Sequence, residues 1–222
     1  LFPYTTLFRS QAAYATIDGE LKKALNLKIG RLLLANLQGQ EREEKTFEIA
    51  DRLNVGRELI ADREEKLKLT TLNLEAGKKA KEANAYAAAK EYLIAGMERG
   101  NGNIWNENYP LALALHKERA EIEYLNGNFQ ESETFINSIL EQAKSVLDKA
   151  KAYNLLITEY TLLGKYEEAI QVGRAALKLL DIDLPEADLQ TVLDLELAVA
   201  RDNLKDKEID RLDRKSTRLN SS

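Results

Sequence analysis

The chain of 222 residues contains no cysteine, a single histidine and only three prolines. Without cysteine there can be no disulfide, thiolate nucleophile or cysteine-ligated zinc, and the composition suits a reducing cytoplasmic location, which we expect for this protein. The lone histidine has no second His or Cys with which to complete a common zinc site. Scarce proline and abundant Ala, Leu, Glu and Lys together predict an almost entirely helical chain.

Several partners and activities lack a sequence signal. The formal net charge is −5, and nucleic-acid binding requires clustered Lys and Arg, so we expect no nucleic-acid partner. No apolar run approaches the roughly 18–20 residues that span a bilayer, and we expect no membrane partner. The sequence also lacks the glycine-rich phosphate-binding motifs and the G-x-S-x-G nucleophile motif.

The remaining candidates for chemistry are better explained as structural residues. His116 falls in the middle of a predicted helix at a packing position, and the glycines and asparagines of 100–103 predict a turn. An acidic group precedes the last predicted helix: Asp181, Asp183, Glu186 and Asp188. An EF-hand calcium loop counted from Asp181 would need Gly and Glu where Glu186 and Val192 stand, so a helix start is the better interpretation. We therefore predict no catalytic, cofactor-binding or metal-binding residue, and no cofactor.

Residues 111–180 contain two successive helix-turn-helix units with the same pattern. Phe129 and Tyr166 follow the two turns and are 37 positions apart, and Tyr86 marks a weaker third copy 43 positions before Phe129. A period of this size is typical of stacked helical arrays. Phe129 is predicted to be buried with Phe135, Ile136, Ile139 and Leu140, and Trp105, in the loop before Pro110, is expected to fill a gap between helix pairs.

Further helices are predicted at about 20–36 and 41–53, with Gly39 ending the first of them. Helix starts are predicted at Asp18, at Asp62 with Glu65 in a capping box, at Pro110, at Asn128 with Glu131, and at Pro185. The sequence leaves open whether the chain turns near Asn84 or continues straight, although a third repeat requires a turn.

Residues 164–170, GKYEEAI, resemble a tetratricopeptide repeat. The large positions of its first helix are matched by Tyr153, Leu156 and Tyr160, and the small positions of its second by Ala169 and Ala176. The sequence departs from the pattern at Ile157, where a small residue is usual, and in the preceding unit at His116 and Ser132. The resemblance implies an all-α fold in which antiparallel helix-turn-helix repeats stack as an α-solenoid.

A longer resemblance covers most of 11–185. Residues 11–14, 27–34, 53–60, 85–96 and 111–116 are similar to the region that follows the STAND/AAA-type ATPase domain in very large bacterial proteins. Those proteins join a serine/threonine kinase-like domain, the ATPase, helical repeats, a GAF sensor and often a histidine kinase. The resemblance implies a non-catalytic scaffold whose partners are these neighbouring domains, while the ATPase and kinase residues lie elsewhere in the parent protein.

Two other functions stay open. One is a free-standing tetratricopeptide-type adaptor that binds a protein or peptide, with acidic groove residues favouring basic or polar partners. The other is a helical enzyme that depends on His116, for which the sequence offers the least support.

The two ends of the chain resemble translated sequencing adapters. Residues 1–10 back-translate to CTCTTTCCCTACACGACGCTCTTCCGATCT, and residues 213–222 give a string similar to the partner adapter. We therefore expect 1–10 and 213–222 to be non-native and 11–212 to be a fragment. Within it we predict a helical segment at 11–60, tetratricopeptide-like repeats at 61–184 and a further helix at 185–212.

Overall fold

The computed structural model describes residues 18–98, 104–185 and 189–204, and this part of the chain is helical and contains no strand. The predicted all-α class is confirmed. Eleven α-helices lie in the described residues: α1 Gly19–Asn36, α2 Gly39–Glu44, α3 Thr46–Val55, α4 Arg63–Glu82, α5 Tyr86–Met97, α6 Ile104–Glu107, α7 Tyr109–Leu125, α8 Phe129–Gln142, α9 Val146–Leu162, α10 Tyr166–Lys178 and α11 Leu189–Leu204. The adapter-like ends, residues 11–17, the predicted turn at 100–103, and Glu186 and Asp188 lie outside the described residues.

The chain divides into two compact units, 1–176 and 177–222. All three hydrophobic clusters described below belong to the first unit. In the second unit, the chain leaves α10 through Asp181, which has the left-handed backbone conformation (φ 57°). Helix α11 follows and carries several exposed leucines.

Two of the predicted helix caps are present. Asp18 accepts a hydrogen bond from the Glu20 backbone N–H at 3.1 Å, and Asp62 accepts one from the Glu65 backbone N–H at 2.7 Å. The reciprocal bond of the capping box at Asp62 is replaced, because Arg31 of α1 holds both Glu65 oxygens at 2.7 and 2.8 Å. The Glu65 side chain, which the capping box would use, therefore forms an ion pair with Arg31 of another helix.

The region predicted as one helix over 41–53 is two helices, and the predicted role of Gly39 is wrong. Gly39 begins α2 with φ 53°, whereas α1 has already ended at Asn36. The break between α2 and α3 falls at Lys45. Beside it the Thr46 hydroxyl donates to the Glu43 carbonyl at 2.7 Å, a local bond that competes with continuous helix.

Three helix pairs, α4–α5, α7–α8 and α9–α10, are joined by turns with the same geometry. The second residue after each first helix adopts the left-handed conformation, at Asn84 (φ 58°), Gly127 (φ 80°) and Gly164 (φ 73°). Each turn is closed by the same backbone bond, from Ala85 N to Ala80 O (2.9 Å), from Asn128 N to Glu123 O (2.8 Å) and from Lys165 N to Tyr160 O (2.8 Å). This is the Schellman arrangement, which satisfies carbonyls at the end of a helix. The chain therefore turns at Asn84, and one local structure recurs three times.

Two expectations for the second of these turns are wrong. The Asn128 side chain does not cap α8, because its Nδ2 donates to the Glu123 carboxylate at 2.6 Å. Phe129 is 39% exposed and packs on Tyr124, with ring centroids 5.6 Å apart. Ile136 and Ile139 are buried as predicted.

The core consists of three apolar clusters linked by aromatic side chains. The first holds residues of α1, α3 and α4: Leu27, Ile49, Ala50, Leu53, Leu69, Leu72 and Ala76, with Ile60. The second lies mainly among α4, α5 and α7: Leu74, Ala80, Ala89, Leu93, Ile104, Leu111, Ala112, Leu115 and Ile122. The third joins α7, α8 and α9: Ala120, Ile136, Ile139, Ala152 and Leu156.

The linking aromatics explain how the clusters form a continuous seam. Phe47 and Tyr92 stack with centroids 5.6 Å apart and contact both the first and second clusters. Trp105 contacts the second and third clusters, as expected of a residue that fills a gap, although it lies in the short helix α6 and not in a loop. Because large aromatic rings bury much apolar area, they stabilise these junctions.

The junction of α3 and α4 also contains a paired set of amides. Asn73 is fully buried, and its Nδ2 donates to Asn54 Oδ1 at 3.0 Å while Asn54 Nδ2 donates to Asn73 Oδ1 at 2.7 Å. Asn73 Nδ2 also reaches the Leu69 carbonyl at 3.0 Å. The buried amides are thereby paired.

Gly56 marks the closest approach between α1 and the end of α3. A Cβ at this position would lie 2.6 Å from both the Leu27 Cβ and the Lys23 carbonyl oxygen. Since a backbone atom cannot move aside as a flexible side chain can, we expect Gly56→Ala to lower the free energy of unfolding by about 1–3 kcal/mol. Gly19→Ala is the control, because nothing lies within 4 Å of its Cβ position. Denaturant unfolding measures both, and equal stabilities would contradict the close approach.

Candidate functional site

His116 lies among aromatic rings at the α6–α7 junction. Its Nδ1 donates to the Ala112 carbonyl at 2.8 Å, its ring lies 4.5 Å from the Trp105 ring, and Phe135 approaches edge-on at 6.0 Å. Burial lowers the pKa of His116, and this outweighs the opposing effect of the backbone hydrogen bond. The imidazole is therefore neutral at pH 7, and its surroundings are those of a packed side chain.

A buried charge cluster joins α5, α7 and the turn before α8. The Glu123 side chain is 0% exposed, and Arg119 reaches one carboxylate oxygen through Nε at 2.8 Å and through Nη2 at 2.5 Å. Lys90 of α5 and Asn128 donate to the other oxygen at 2.9 and 2.6 Å. Burial alone would raise the pKa of Glu123, but these donors outweigh it and the pKa is lowered. Four hydrogen bonds therefore hold a charged carboxylate in the interior.

A second ionic contact joins α4 to α7. Lys81 Nζ lies 2.5 Å from Glu118 and 2.6 Å from Glu121. Burial would lower the pKa of Lys81, and the two carboxylates reverse this so that the pKa is raised. The first and second repeated helix pairs are thus connected by charged groups as well as by apolar packing.

Ser132, at a position where the tetratricopeptide pattern has a small residue, contacts two other helices. Its hydroxyl lies 2.8 Å from the Ala120 carbonyl of α7 and within hydrogen-bonding distance of the Glu159 carboxyl group of α9. Glu159 is 6% exposed, and its pKa is raised, because burial and the charge of Glu133 outweigh the lowering effect that a hydrogen bond donated by Ser132 would have. Glu133 accepts a bond from the Tyr160 hydroxyl at 2.9 Å, and burial and this carboxylate raise the pKa of Tyr160 to about 12.

One surface groove, the α1–α4 groove, has a volume of about 830 Å³ and an apolar floor formed by Leu34, Leu67 and Leu72. Its charged side chains are already paired across or along the helices: Arg31 with Glu65, Lys68 with Glu64, and Arg42 with Glu75, at 2.7 to 3.0 Å. The groove therefore presents little unbalanced charge.

A smaller groove of about 360 Å³, the α7–α9 groove, differs in charge. Its lining is mainly apolar: Tyr109, Pro110, Leu113, Ala114, Lys117, Ile139, Asp148, Lys151, Ala152 and Leu155. Asp148 is engaged by the Tyr109 hydroxyl at 2.8 Å, and the lining also carries two lysines, Lys151 and Lys117, the latter 3.9 Å from Glu121 on the same helix. In this groove two lysines therefore accompany one bonded carboxylate.

Neither a metal site nor a membrane-spanning segment is evident in the described residues. Within 18–98, 104–185 and 189–204, no three His, Asp or Glu side chains are grouped so that they could hold a metal ion. In the same ranges no helix combines the length and apolar character that crossing a bilayer demands. Sequence reasoning missed Glu159 as a buried group, and it also missed Glu123, because an Arg and a Glu four residues apart predict an exposed helical ion pair.

No family model matches the chain, and no solved structure matches it. Among curated proteins, the chain is similar to hybrid signal transduction histidine kinase G of Dictyostelium discoideum, with 30% identity over 190 residues. That alignment covers 73% of this chain and 6% of the kinase, so the chain spans a small fraction of its relative. The similarity agrees with the histidine kinase element of the resemblance seen in the sequence. This similarity carries no information on an ATPase or a tetratricopeptide context. The described part of the chain is all-helical, and the comparison adds a distant similarity to a signalling histidine kinase.

Proposed function

We propose that this chain is a non-catalytic helical repeat scaffold of a large signalling protein. In this proposal, tetratricopeptide-like helix pairs stack as a solenoid and transmit or restrain movement between neighbouring ATPase and sensor kinase domains. The observation that carries it is the recurrence of one turn geometry in three helix pairs, with charged and apolar contacts joining α4 and α5 to α7. The similarity to a histidine kinase supports the signalling context.

Such a scaffold needs stiffness, because coupling between distant sites is carried by packed elements that move as units. The Glu123 cluster and the aromatic links supply continuous contacts from α1 to α9. A rigid array of this kind can pass a rotation from one end to the other without chemistry of its own.

The source gene provides the decisive test. We expect the native sequence upstream of 11–212 to encode a nucleotide-binding ATPase domain and the sequence downstream to encode a sensor or kinase domain. Stop codons close to both sides of this segment would overturn the proposal. In a parent protein of the expected order, replacing this segment by a flexible linker of equal length should uncouple nucleotide addition from kinase autophosphorylation.

A second candidate function, binding of a peptide, is favoured by the α7–α9 groove. Its mainly apolar lining and its two lysines fit a short apolar segment that carries carboxylates. Trp105 is the only tryptophan of the chain and packs on Tyr109, which lines the groove. We therefore expect the fluorescence of Trp105 to change when a peptide binds in the α7–α9 groove and contacts Tyr109.

We expect a synthetic peptide of alternating leucine and glutamate to change the Trp105 fluorescence in a saturable manner. The double substitution Lys117→Glu and Lys151→Glu should raise the Kd of the peptide at least tenfold, because it reverses both groove charges. A tenfold change in Kd corresponds to ~1.4 kcal/mol of binding free energy. Lys28→Glu on α1 is the matched control, since Lys28 is exposed and outside this groove. Equal binding by all three proteins, or none by the unsubstituted chain, would reject the peptide-binding function.

A further inference from the structure

Ser132 lies where α7, α8 and α9 meet. Its side chain is completely buried, and its Oγ is 2.8 Å from the Ala120 carbonyl oxygen and also in hydrogen-bonding contact with Glu159 Oε1. The three atoms belong to three different helices. The two contacts of Ser132 therefore join α8 to both neighbouring helices, α7 and α9.

The two contacts of Ser132 require two hydrogens. A hydroxyl group carries one hydrogen, a carbonyl oxygen can only accept, and an ionised carboxylate can also only accept. If Ser132 donates to Ala120, its contact with Glu159 is a hydrogen bond only when the carboxyl group supplies the second hydrogen. If Ser132 donates to Glu159 instead, two buried oxygens of Ser132 and Ala120 face each other without a hydrogen between them.

We propose that Glu159 retains a proton and donates it to Ser132, so that a neutral carboxylic acid closes the junction of α7, α8 and α9. Loss of that proton leaves one hydrogen for the two contacts of Ser132, so the junction loses a hydrogen bond and gains a buried negative charge. The junction is then a pH-sensitive contact within the helical array, weakened as the pH rises.

The charged and titratable groups around this junction do not favour ionisation of Glu159. They are Arg119 and Glu123 on α7, Glu131 and Glu133 on α8, Tyr160 on α9, Lys165 in the following turn and Glu168 on α10. Arg119 is engaged with Glu123, and the Lys165 ammonium lies 5.4 Å from the centre of the Tyr160 ring. Glu133 is the charge that acts on Glu159, and its sign opposes ionisation.

The contrast with Glu123 makes the assignment specific. Both carboxyl groups are buried, but Glu123 receives four hydrogen bonds, two of them from Arg119 and one from Lys90. In the described residues, the one protein group in hydrogen-bonding contact with the Glu159 carboxyl group is the Ser132 hydroxyl. Burial without a cation favours the neutral acid.

The direction of the effect follows from proton linkage. A carboxyl group whose pKa is raised on folding binds its proton more tightly in the native state than in the unfolded state. Its stabilising contribution is therefore complete below the pKa of an unfolded glutamate and is lost as the pH rises through the pKa of folded Glu159.

Carbon-13 NMR of glutamate side-chain carboxyl groups tests the proton directly, with Glu159→Gln identifying the Glu159 signal. We expect Glu159 to titrate at a higher pH than a glutamate in an unfolded peptide. Ser132→Ala should move the Glu159 midpoint down, because the neutral acid loses its acceptor. A Glu159 midpoint equal to that of the unfolded glutamate would overturn the proposal. So would an upward shift in Ser132→Ala, which is the result if Ser132 donates to a carboxylate.

Denaturant unfolding as a function of pH gives a second readout. The unsubstituted chain should lose stability relative to Glu159→Gln as the pH rises, since the glutamine amide donates to Ser132 at every pH. Glu64→Gln should remain parallel to the unsubstituted chain across the window in which Glu159 titrates. A stability difference between the unsubstituted chain and Glu159→Gln that is independent of pH would overturn the proposed contact.

Discussion

Glu123→Ala is expected to lower the free energy of unfolding by about 3–5 kcal/mol, which is the range for removing one partner of a buried ion pair. The substitution leaves the Arg119 guanidinium, 8% exposed, without its carboxylate, and it deprives Lys90 and Asn128 of their acceptor. The loss should appear in denaturant unfolding at pH 7 as a lower midpoint with an unchanged slope.

The matched control is Glu64→Ala, which removes an exposed carboxylate paired with Lys68 four residues along α4. Exposed helical pairs contribute about 0.3–0.5 kcal/mol, so this variant should remain close to the unsubstituted chain. If Glu123→Ala cost no more than Glu64→Ala, the cluster would have no structural role and the charged junction between the helix pairs would be unsupported.

Leu115→Ala should have a comparable effect, about 2–5 kcal/mol, through the loss of buried apolar volume. Leu115 is fully buried in the second cluster, and its Cδ2 lies 3.2 Å from the place where a Gly96 side chain would begin. The cavity created there cannot collapse easily, because α5 and α7 are already in close contact. Thermal or denaturant unfolding measures the change.

Leu162→Ala removes the same atoms from a side chain that is 65% exposed at the end of α9. Surface substitutions of this kind usually change stability by less than about 0.5 kcal/mol. Equal effects of Leu115→Ala and Leu162→Ala would contradict the position of Leu115 in the core.

The turns were the most predictable part of the fold, because their signal is local. Gly127 and Gly164 stand where a left-handed residue must follow a helix, and the sequence predicts both turns from those glycines. Asn84 by itself does not predict a turn, because asparagine adopts the left-handed conformation less often than glycine. Only the repeat spacing between Tyr86 and Phe129 requires the chain to turn there.

Side-chain partners were far less predictable. Asn128 and Glu65 both stand at cap positions, and both are bound instead to charged groups on other elements, Glu123 and Arg31. Phe129 was expected to be buried because aromatic residues usually are, yet the turn directs it toward Tyr124 at the surface. Such outcomes depend on tertiary contacts that a local pattern does not contain.

The same reason limits what the sequence says about the candidate sites. The position of His116 in the repeat predicts a packed side chain, and the structure places its ring beside Trp105. The lysines of the α7–α9 groove come from two helices 34 residues apart, Lys117 on α7 and Lys151 on α9. Their joint position becomes visible only when the helices are packed.

The paired amides of Asn54 and Asn73 constrain how this region can change over time. Each amide donates to the side-chain oxygen of the other, so a single exchange to aspartate sets two acceptors face to face, and a single exchange to leucine leaves the remaining amide without this partner. Simultaneous replacement of both by apolar residues avoids either penalty. Substitutions at these two positions are therefore coupled. During evolution, the amide pair can be replaced by an apolar pair either through a less stable single substitution or by changing both residues together.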